Sequence, residues 1–322
     1  MRLSALILLL VALLAAASTP LAQSRLTGFD LLRATPSARA AALAGAYTAG
    51  GPIASPDAMF YNPAFLSPDA HDIASLGYLN HLDDVWMGFA SYARHVDRLE
   101  GTIGVAVRHI GYGSFDRRGF DGVSDGTFGA SETALTATYS RVVTDRLQAG
   151  GSVHAAFVSL DDLSASALAA DIGAAYLIPQ QQVVLSVALR NVGLVLNSLG
   201  ETDDILPTDL RISASKTLAN LPLRLTLTGY DLTRFGEGSG SALNELARHS
   251  ALSGEFQLGS AFALRLGYDH RLAEDMGTGE RLDLAGVGAG FGLNLRRVGF
   301  DYAFNSWSSF GGLHHITVRA RL

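Results

Sequence analysis

Beyond residue 70, apolar residues recur at every second position, and a spacing near 3.6 is scarce. Successive side chains of a strand point to opposite faces, so this rhythm predicts strands with two unlike sides. Val287, Ala289, Phe291, Leu293 and Leu295 alternate with Gly288, Gly290, Gly292, Asn294 and Arg296. Val298, Phe300, Tyr302 and Phe304 alternate with Gly299, Asp301, Ala303 and Asn305. Ile103, Val105 and Val107 oppose Gly104, Ala106 and Arg108, and Leu264, Leu266 and Tyr268 oppose Arg265, Gly267 and Asp269. A soluble sandwich would carry Lys, Glu and Thr on its water-facing side, yet Lys occurs once, at Lys216. Small residues on one face and an apolar row on the other suit a closed barrel whose apolar row meets lipid.

Runs of this kind predict fourteen strands, beginning near Ile73, Val85, Glu100, Ala130, Arg146, Ala167, Gln182, Asp209, Pro222, His249, Ala261, Asp283, Val298 and Leu313. The predicted fold is an all-β, 14-stranded antiparallel transmembrane outer-membrane β-barrel. Connections after even-numbered strands read as tight, at 95–98, 143–145, 179–181, 218–221, 259–260 and 296–297. Most of the others read as long and rich in Gly, Asp and Ser, at 111–129, 193–208, 235–248 and 271–282. Short periplasmic turns and long outer loops are the known asymmetry of such barrels, which places both termini in the periplasm. Residues 23–72 break the strand rhythm with Thr35-Pro36-Ser37, an alanine-rich stretch, Gly50-Gly51-Pro52 and Ser55-Pro56. They are expected to form a small N-terminal hatch, with the barrel covering 73–322.

Composition narrows the setting. Arg2, an apolar run over 3–17 and small residues after it have the layout of a secretory signal peptide over 1–22, with cleavage after Ala17 or Ala22. No later apolar run reaches the roughly 18 residues of a spanning helix. Charged residues make up 17% of the 322, Gly numbers 35, mean hydropathy is positive, and the net charge is −6. That balance offers nucleic acid no attraction. Cysteine is absent, which removes disulfides, thiolate metal sites and a Cys nucleophile together.

Leu43-Ala44-Gly45-Ala46-Tyr47, followed by Asp57-Ala58-Met59-Phe60-Tyr61-Asn62-Pro63-Ala64-Phe65-Leu66, resembles the hatch of FadL-like outer-membrane barrels. Gly45, Ala46, Tyr47, Asn62, Pro63 and Ala64 are the hatch signature, structural rather than catalytic. Within that superfamily the chain is similar to the PorQ branch of the PorV/PorQ family of the type IX secretion system. The stretches that carry this are Gly111-Tyr112-Gly113-Ser114-Phe115, 126–132, Arg190-Asn191-Val192-Gly193, 206–211, 221–225, Gly267-Tyr268-Asp269, 300–304 and 312–315. The ending Arg319-Ala320-Arg321-Leu322 departs from the terminal aromatic of many outer-membrane barrels. The resemblance implies a non-enzymatic outer-membrane component that holds a surface sortase-like enzyme and a surface or periplasmic partner. The alternative is a FadL-like transporter of hydrophobic small molecules, which a greasy lumen pocket, a kinked wall strand or a bound lipid would favour.

The residues offer little chemistry besides, and no catalytic, cofactor or metal site is predicted. Gly286 to Gly292 follow a strand's period of two, where a dinucleotide loop would need a glycine in place of Phe291. Asp116, Asp121 and Asp125 with Gly122 and Gly126 lack the alternate ligands of a calcium loop and read as turns. His314 and His315 are adjacent on a strand and point to opposite faces, one to the lumen and one to the lipid rim. Asp203-Asp204 and Asp269-His270 match the residue pairs of an omptin-type protease, but such barrels have ten strands, not fourteen. Arg108, Arg190, Arg211, Arg265 and Arg296, set against Asp171, Glu255, Asp269 and Asp301, are expected in the lumen as ion pairs tying wall to hatch, leaving little open channel.

Overall fold

The computed structural model describes residues 27–45, 55–80, 84–118, 123–200, 203–236, 241–278, 283–308 and 311–322. The expected signal segment, Ala46, Tyr47, Asp121 and Gly122 lie outside the described residues. Fourteen strands close into one antiparallel barrel in which each pairs with its sequence neighbours and the first with the last. They are β1 (Ile73–Asn80), β2 (Trp86–Val96), β3 (Gly101–Arg118), β4 (Ser124–Thr144), β5 (Leu147–Leu160), β6 (Leu163–Ile178) and β7 (Val183–Asn197), then β8 (Asp209–Thr217), β9 (Leu223–Gly229), β10 (Ser250–Leu258), β11 (Phe262–Asp269), β12 (Val287–Leu295), β13 (Val298–Ser306) and β14 (Gly312–Arg321). This is the predicted architecture, and most strands start within a residue of the expected position.

Three starts differ, each for a local reason. The expected 111–129 loop is largely strand, because β3 and β4 continue past a bulge at Gly113, whose φ is +82°. There Phe115 stacks on Phe128 at 5.4 Å between centroids, a cross-strand pair that extends the hairpin. β6 begins at Leu163 because β5 and β6 pair down to Leu160 opposite Leu163, making that connection short as well. β12 begins at Val287, not Asp283, because the Asp283 carboxylate accepts from the amides of Thr278 and Ala285 and holds a turn there.

The end of the barrel that holds Ile73 and the C-terminus has the tight connections. The opposite end, called the far end below, carries three long ones, including α2 (Ala242–Arg248) and α3 (His270–Met276). Outward positions are apolar and exposed, among them Leu76, Val105, Val153, Ile172, Leu227 and Leu266. An exterior this greasy all round needs lipid rather than water as solvent. Tyr139 and Tyr176 near the terminal end, and Tyr78, Trp86 and Tyr268 near the far end, set aromatic side chains at both margins of that band. No helix among the described residues is long and apolar enough to cross a membrane.

Residues 27–45 and 55–72 occupy the lumen. They form α1 (Ala38–Ala42) and several 3-10 turns, whose side chains supply most of the fully buried apolar residues: Phe29, Leu32, Met59, Phe60, Phe65 and Leu66. The wall answers with small residues. Ala134, Ala156, Ala165, Ala167 and Ala169 pack around Phe29, Leu31 and Leu32, and Gly288 and Gly290 of β12 lie against Ala41 and Ala42 of α1. The Gly-rich inward face read from the sequence is the seat of this segment.

Candidate functional site

The seat comes first because it forms the floor of the site. Asn62 is fully buried and caps the 3-10 turn Pro63–Phe65, its Oδ1 accepting from the amide of Ala64 at 3.0 Å. Pro suits the first helical position, where its missing N–H costs nothing. Asn62 also donates Nδ2 to the Val187 carbonyl of β7 at 3.3 Å, and the Ala64 carbonyl accepts from Ser140 of β4 at 3.3 Å. Asn62, Pro63 and Ala64 thus form a wedge against the wall. Gly45 closes α1 with φ +69°, and its carbonyl accepts from the Thr35 hydroxyl. The left-handed φ and the Thr35 Oγ1 standing 3.1 Å from any added Cβ both favour glycine here.

Arginines of the wall reach inward to the backbone of residues 31–32. Arg108 donates to the Leu31 carbonyl at 3.3 Å and lies over the Phe60 ring at 4.9 Å. Arg190 donates to the Leu32 carbonyl at 3.2 Å, and Glu132 accepts from the Leu31 amide at 2.9 Å. On the other side Arg39 of α1 pairs with Glu255 at 2.8 Å, Glu255 with Arg265 at 2.7 Å, and Arg265 with Asp301 at 2.6 Å. Buried charges of this kind persist only when paired and hydrogen-bonded. Of the charges expected in the lumen, Arg108, Arg190, Arg211, Arg265, Asp171, Glu255 and Asp301 are buried there. Arg296 is not: it stands exposed in the tight turn between β12 and β13, one step beyond the end of the alternating run.

Between this floor and the far end lies a cavity of about 810 Å³. One wall is apolar. Register places Leu79 opposite Met87 and Met87 opposite Ile110, so three inward side chains from β1, β2 and β3 form a cross-strand row. Leu313 of β14, Leu206 and Trp307 continue it. The facing wall is charged. The Tyr230 hydroxyl donates to Asp269 at 2.7 Å, Arg271 of α3 pairs with Asp231 at 2.8 Å and lies over the Tyr230 ring, and Arg211 pairs with Asp209. Burial, reinforced by the Asp269 carboxylate, pushes the Tyr230 hydroxyl well above the usual phenol range, so it stays protonated and donates. Arg33, from the N-terminal segment, reaches Asp231 at 3.9 Å, which links the floor to this wall.

Sequence reasoning missed the apolar row. Leu79, Met87 and Ile110 share the inward parity of Ser75, Ser91 and Arg108, so along each strand they stand among small or polar inward residues and no single strand shows an apolar inward row. The pairs weighed as protease machinery do other work. Asp269 caps α3 by accepting from the Leu272 amide at 3.0 Å, and Asp204 accepts from the Leu199 amide at 2.7 Å. His315 is buried on the inward face, whereas His314 lies outward beside Tyr302 at 2.8 Å. Asp116 pairs with Arg118 along the β3 extension.

No protein-family model matches the chain, and no curated protein matches its sequence. Solved structures do resemble it. A Pseudomonas aeruginosa FadL homologue is 12% identical, with 89% of this chain and 98% of that one covered and a TM-score of 0.53. The Pseudomonas putida toluene transporter TodX is 13% identical over 87% of this chain and 95% of that one, with a TM-score of 0.54. CymD, a monoaromatic hydrocarbon channel, is 10% identical over 92% of this chain and 99% of that one, also at 0.54. At such identities the likeness is one of fold: the closed fourteen-stranded barrel of this chain superposes on these three structures over most of their length.

Proposed function

We propose that this protein is an outer-membrane barrel, with its termini in the periplasm and its far end facing the medium, that binds and passes small, largely apolar molecules. The observation that carries this reading is the cross-strand row Leu79, Met87 and Ile110, with Leu313, on one wall of the lumenal cavity. These side chains face the lumen rather than lipid, pack in part against Phe29, Leu31 and Leu32, and give the cavity an apolar side opposite its charged one, a lining that suits a small molecule. The fold it shares with a toluene transporter and a hydrocarbon channel is consistent with such a role.

Uptake of labelled toluene by cells lacking the chromosomal copy, complemented with wild type or Met87→Lys, tests it. Wild type restores uptake, and the lysine, a charge set into the apolar wall, removes most of it. Equal uptake in all strains sinks the reading. The type IX secretion role implied by the sequence resemblance, with its sortase-like and surface partners, makes the opposite forecast in those strains. Uptake then stays unchanged while secreted proteins collect in the periplasm.

A further inference from the structure

The tight connections at the terminal end differ in charge. At 97–100 and 145–146 acids stand beside the arginines: Asp97 next to Arg98, Asp145 next to Arg146, and Glu100 paired with Arg141. The connections at 179–182, 218–222 and 259–261 hold no charged residue. The connection between β12 and β13 consists of Arg296 and Arg297 alone. Both are exposed, and neither has an ion pair or a side-chain hydrogen bond among the described residues. The acids of the adjoining elements have other partners. Asp301 of β13 pairs with Arg319 at 2.8 Å and Arg265 at 2.6 Å, and Asp72 accepts from Tyr92 at 2.7 Å and faces Arg94 at 3.8 Å. Arg321, whose amide donates to the Arg297 carbonyl at 2.9 Å, is occupied by the Asp69 carbonyl and neighbours Asp72. The outward face that runs into this turn is apolar and then aromatic. Register sets Leu295 opposite Val298, Leu293 opposite Phe300 and Phe291 opposite Tyr302, and the Phe291 ring lies 6.1 Å from Phe300 and 5.7 Å from Tyr302. The lipid-facing band thus ends here on two adjacent cations that the protein itself does not neutralise.

We propose that the β12–β13 corner holds an anionic phospholipid on the outside of the barrel, its phosphate on Arg296 and Arg297 and an acyl chain along Phe300, Phe291 and Tyr302. Two like charges side by side repel, and an anion relieves them. A guanidinium offers parallel N–H donors in a fixed fork that matches phosphate. A basic residue at a membrane surface gains from anionic headgroups, whereas a zwitterionic headgroup brings its own cation with the phosphate. A soluble acidic protein would meet the arginines but leave the ring panel beside them unused. A phospholipid uses both, because its chain lies in the band that the panel already faces. The inference stands on the exterior of the barrel and does not depend on what the lumen takes.

Tryptophan quenching by brominated lipids in phosphatidylcholine vesicles tests it on the full-length barrel. The two native tryptophans are replaced, Trp86→Phe and Trp307→Phe, and one reporter is added. Phe300→Trp reads the corner. Tyr176→Trp, on the strand whose Leu177 amide donates to the Arg146 carbonyl, reads the margin beside a turn where an acid neighbours the arginine. At the Phe300→Trp reporter, brominated phosphatidylglycerol is expected to associate at least about fivefold more strongly than brominated phosphatidylcholine, the factor for one basic residue near an anionic surface. At the Tyr176→Trp reporter the two lipids associate about equally. R296Q with R297Q brings the corner down to that level. Equal association of the two lipids at the corner, the same preference at both reporters, or a preference that survives R296Q with R297Q overturns the inference, and each leaves the transport reading in place. If the double variant fails to insert, the single variants carry the test: the preference falls in each, and an undiminished preference in both counts against the inference.

Discussion

Gly150 and Gly151 are neighbours on β5 that face opposite ways, and substituting each by alanine separates the seat of the N-terminal segment from every other property of the strand. A Cβ at Gly150 points inward and would stand 2.6 Å from the Pro63 oxygen, 2.7 Å from the Pro63 carbonyl carbon and 2.9 Å from the Ala64 nitrogen. All three are backbone atoms of the segment, so no flexible side chain can swing aside. A Cβ at Gly151 points outward and meets only the Asp171 oxygen at 3.5 Å, an ordinary contact. Overpacking of this kind costs about 1–3 kcal/mol. Because the clash exists only while the segment is seated, the cost falls on the seated state and shifts the seated-to-unseated ratio by about 5–150-fold. The chain has no cysteine, so a single reporter, Ala58→Cys, buried in the segment, can be labelled with a maleimide in the folded barrel. Labelling in G150A is expected to quicken by that factor, with G151A matching the parent. Indistinguishable rates in G150A and G151A would refute the claim that the wedge is seated directly on β5.

Three further outcomes follow from the same geometry. Asn62→Ala removes the cap of the 3-10 turn at Pro63–Phe65 and weakens the seat by about 1 kcal/mol, read as faster hydrogen exchange at the Ala64 amide. Glu255→Gln leaves Arg39 and Arg265 facing each other without the charge between them. Breaking such a buried arrangement costs about 3–5 kcal/mol, so the temperature at which the barrel loses its heat-modifiable band falls clearly below wild type. The Ala285 and Thr278 amides hold the Asp283 carboxyl down to about 2 in the β11–β12 connection. A depressed acid stabilises this turn above its unfolded value of 3.8, and the contribution is lost as pH falls through about 2. Carboxyl NMR should give a midpoint near 2 for Asp283, and a midpoint at or above 3.8 would contradict the turn.

The sequence by itself determined the barrel. Period-two alternation reports which side of a strand meets lipid, because lipid demands an unbroken apolar face and tolerates no unpaired edge. Strand number and the positions of the tight turns followed from counting such runs, and the glycines of β12 already marked an inward face that leaves space. Local alternation also misled at its margins. It carried Arg296 one step too far into the lumen, and it read 111–129 as loop where Phe115 and Phe128 stack to prolong a hairpin. Only the tertiary structure decided what fills and what lines the lumen. Leu79, Met87 and Ile110 sit on three strands, and nothing short of the register between them shows that they form one wall. Likewise Gly150 makes room for Pro63, and Arg190 donates to the Leu32 carbonyl, across separations that no local pattern records. A strand's faces are fixed by its own covalent geometry, but a cavity is fixed by which strands the closing sheet brings side by side.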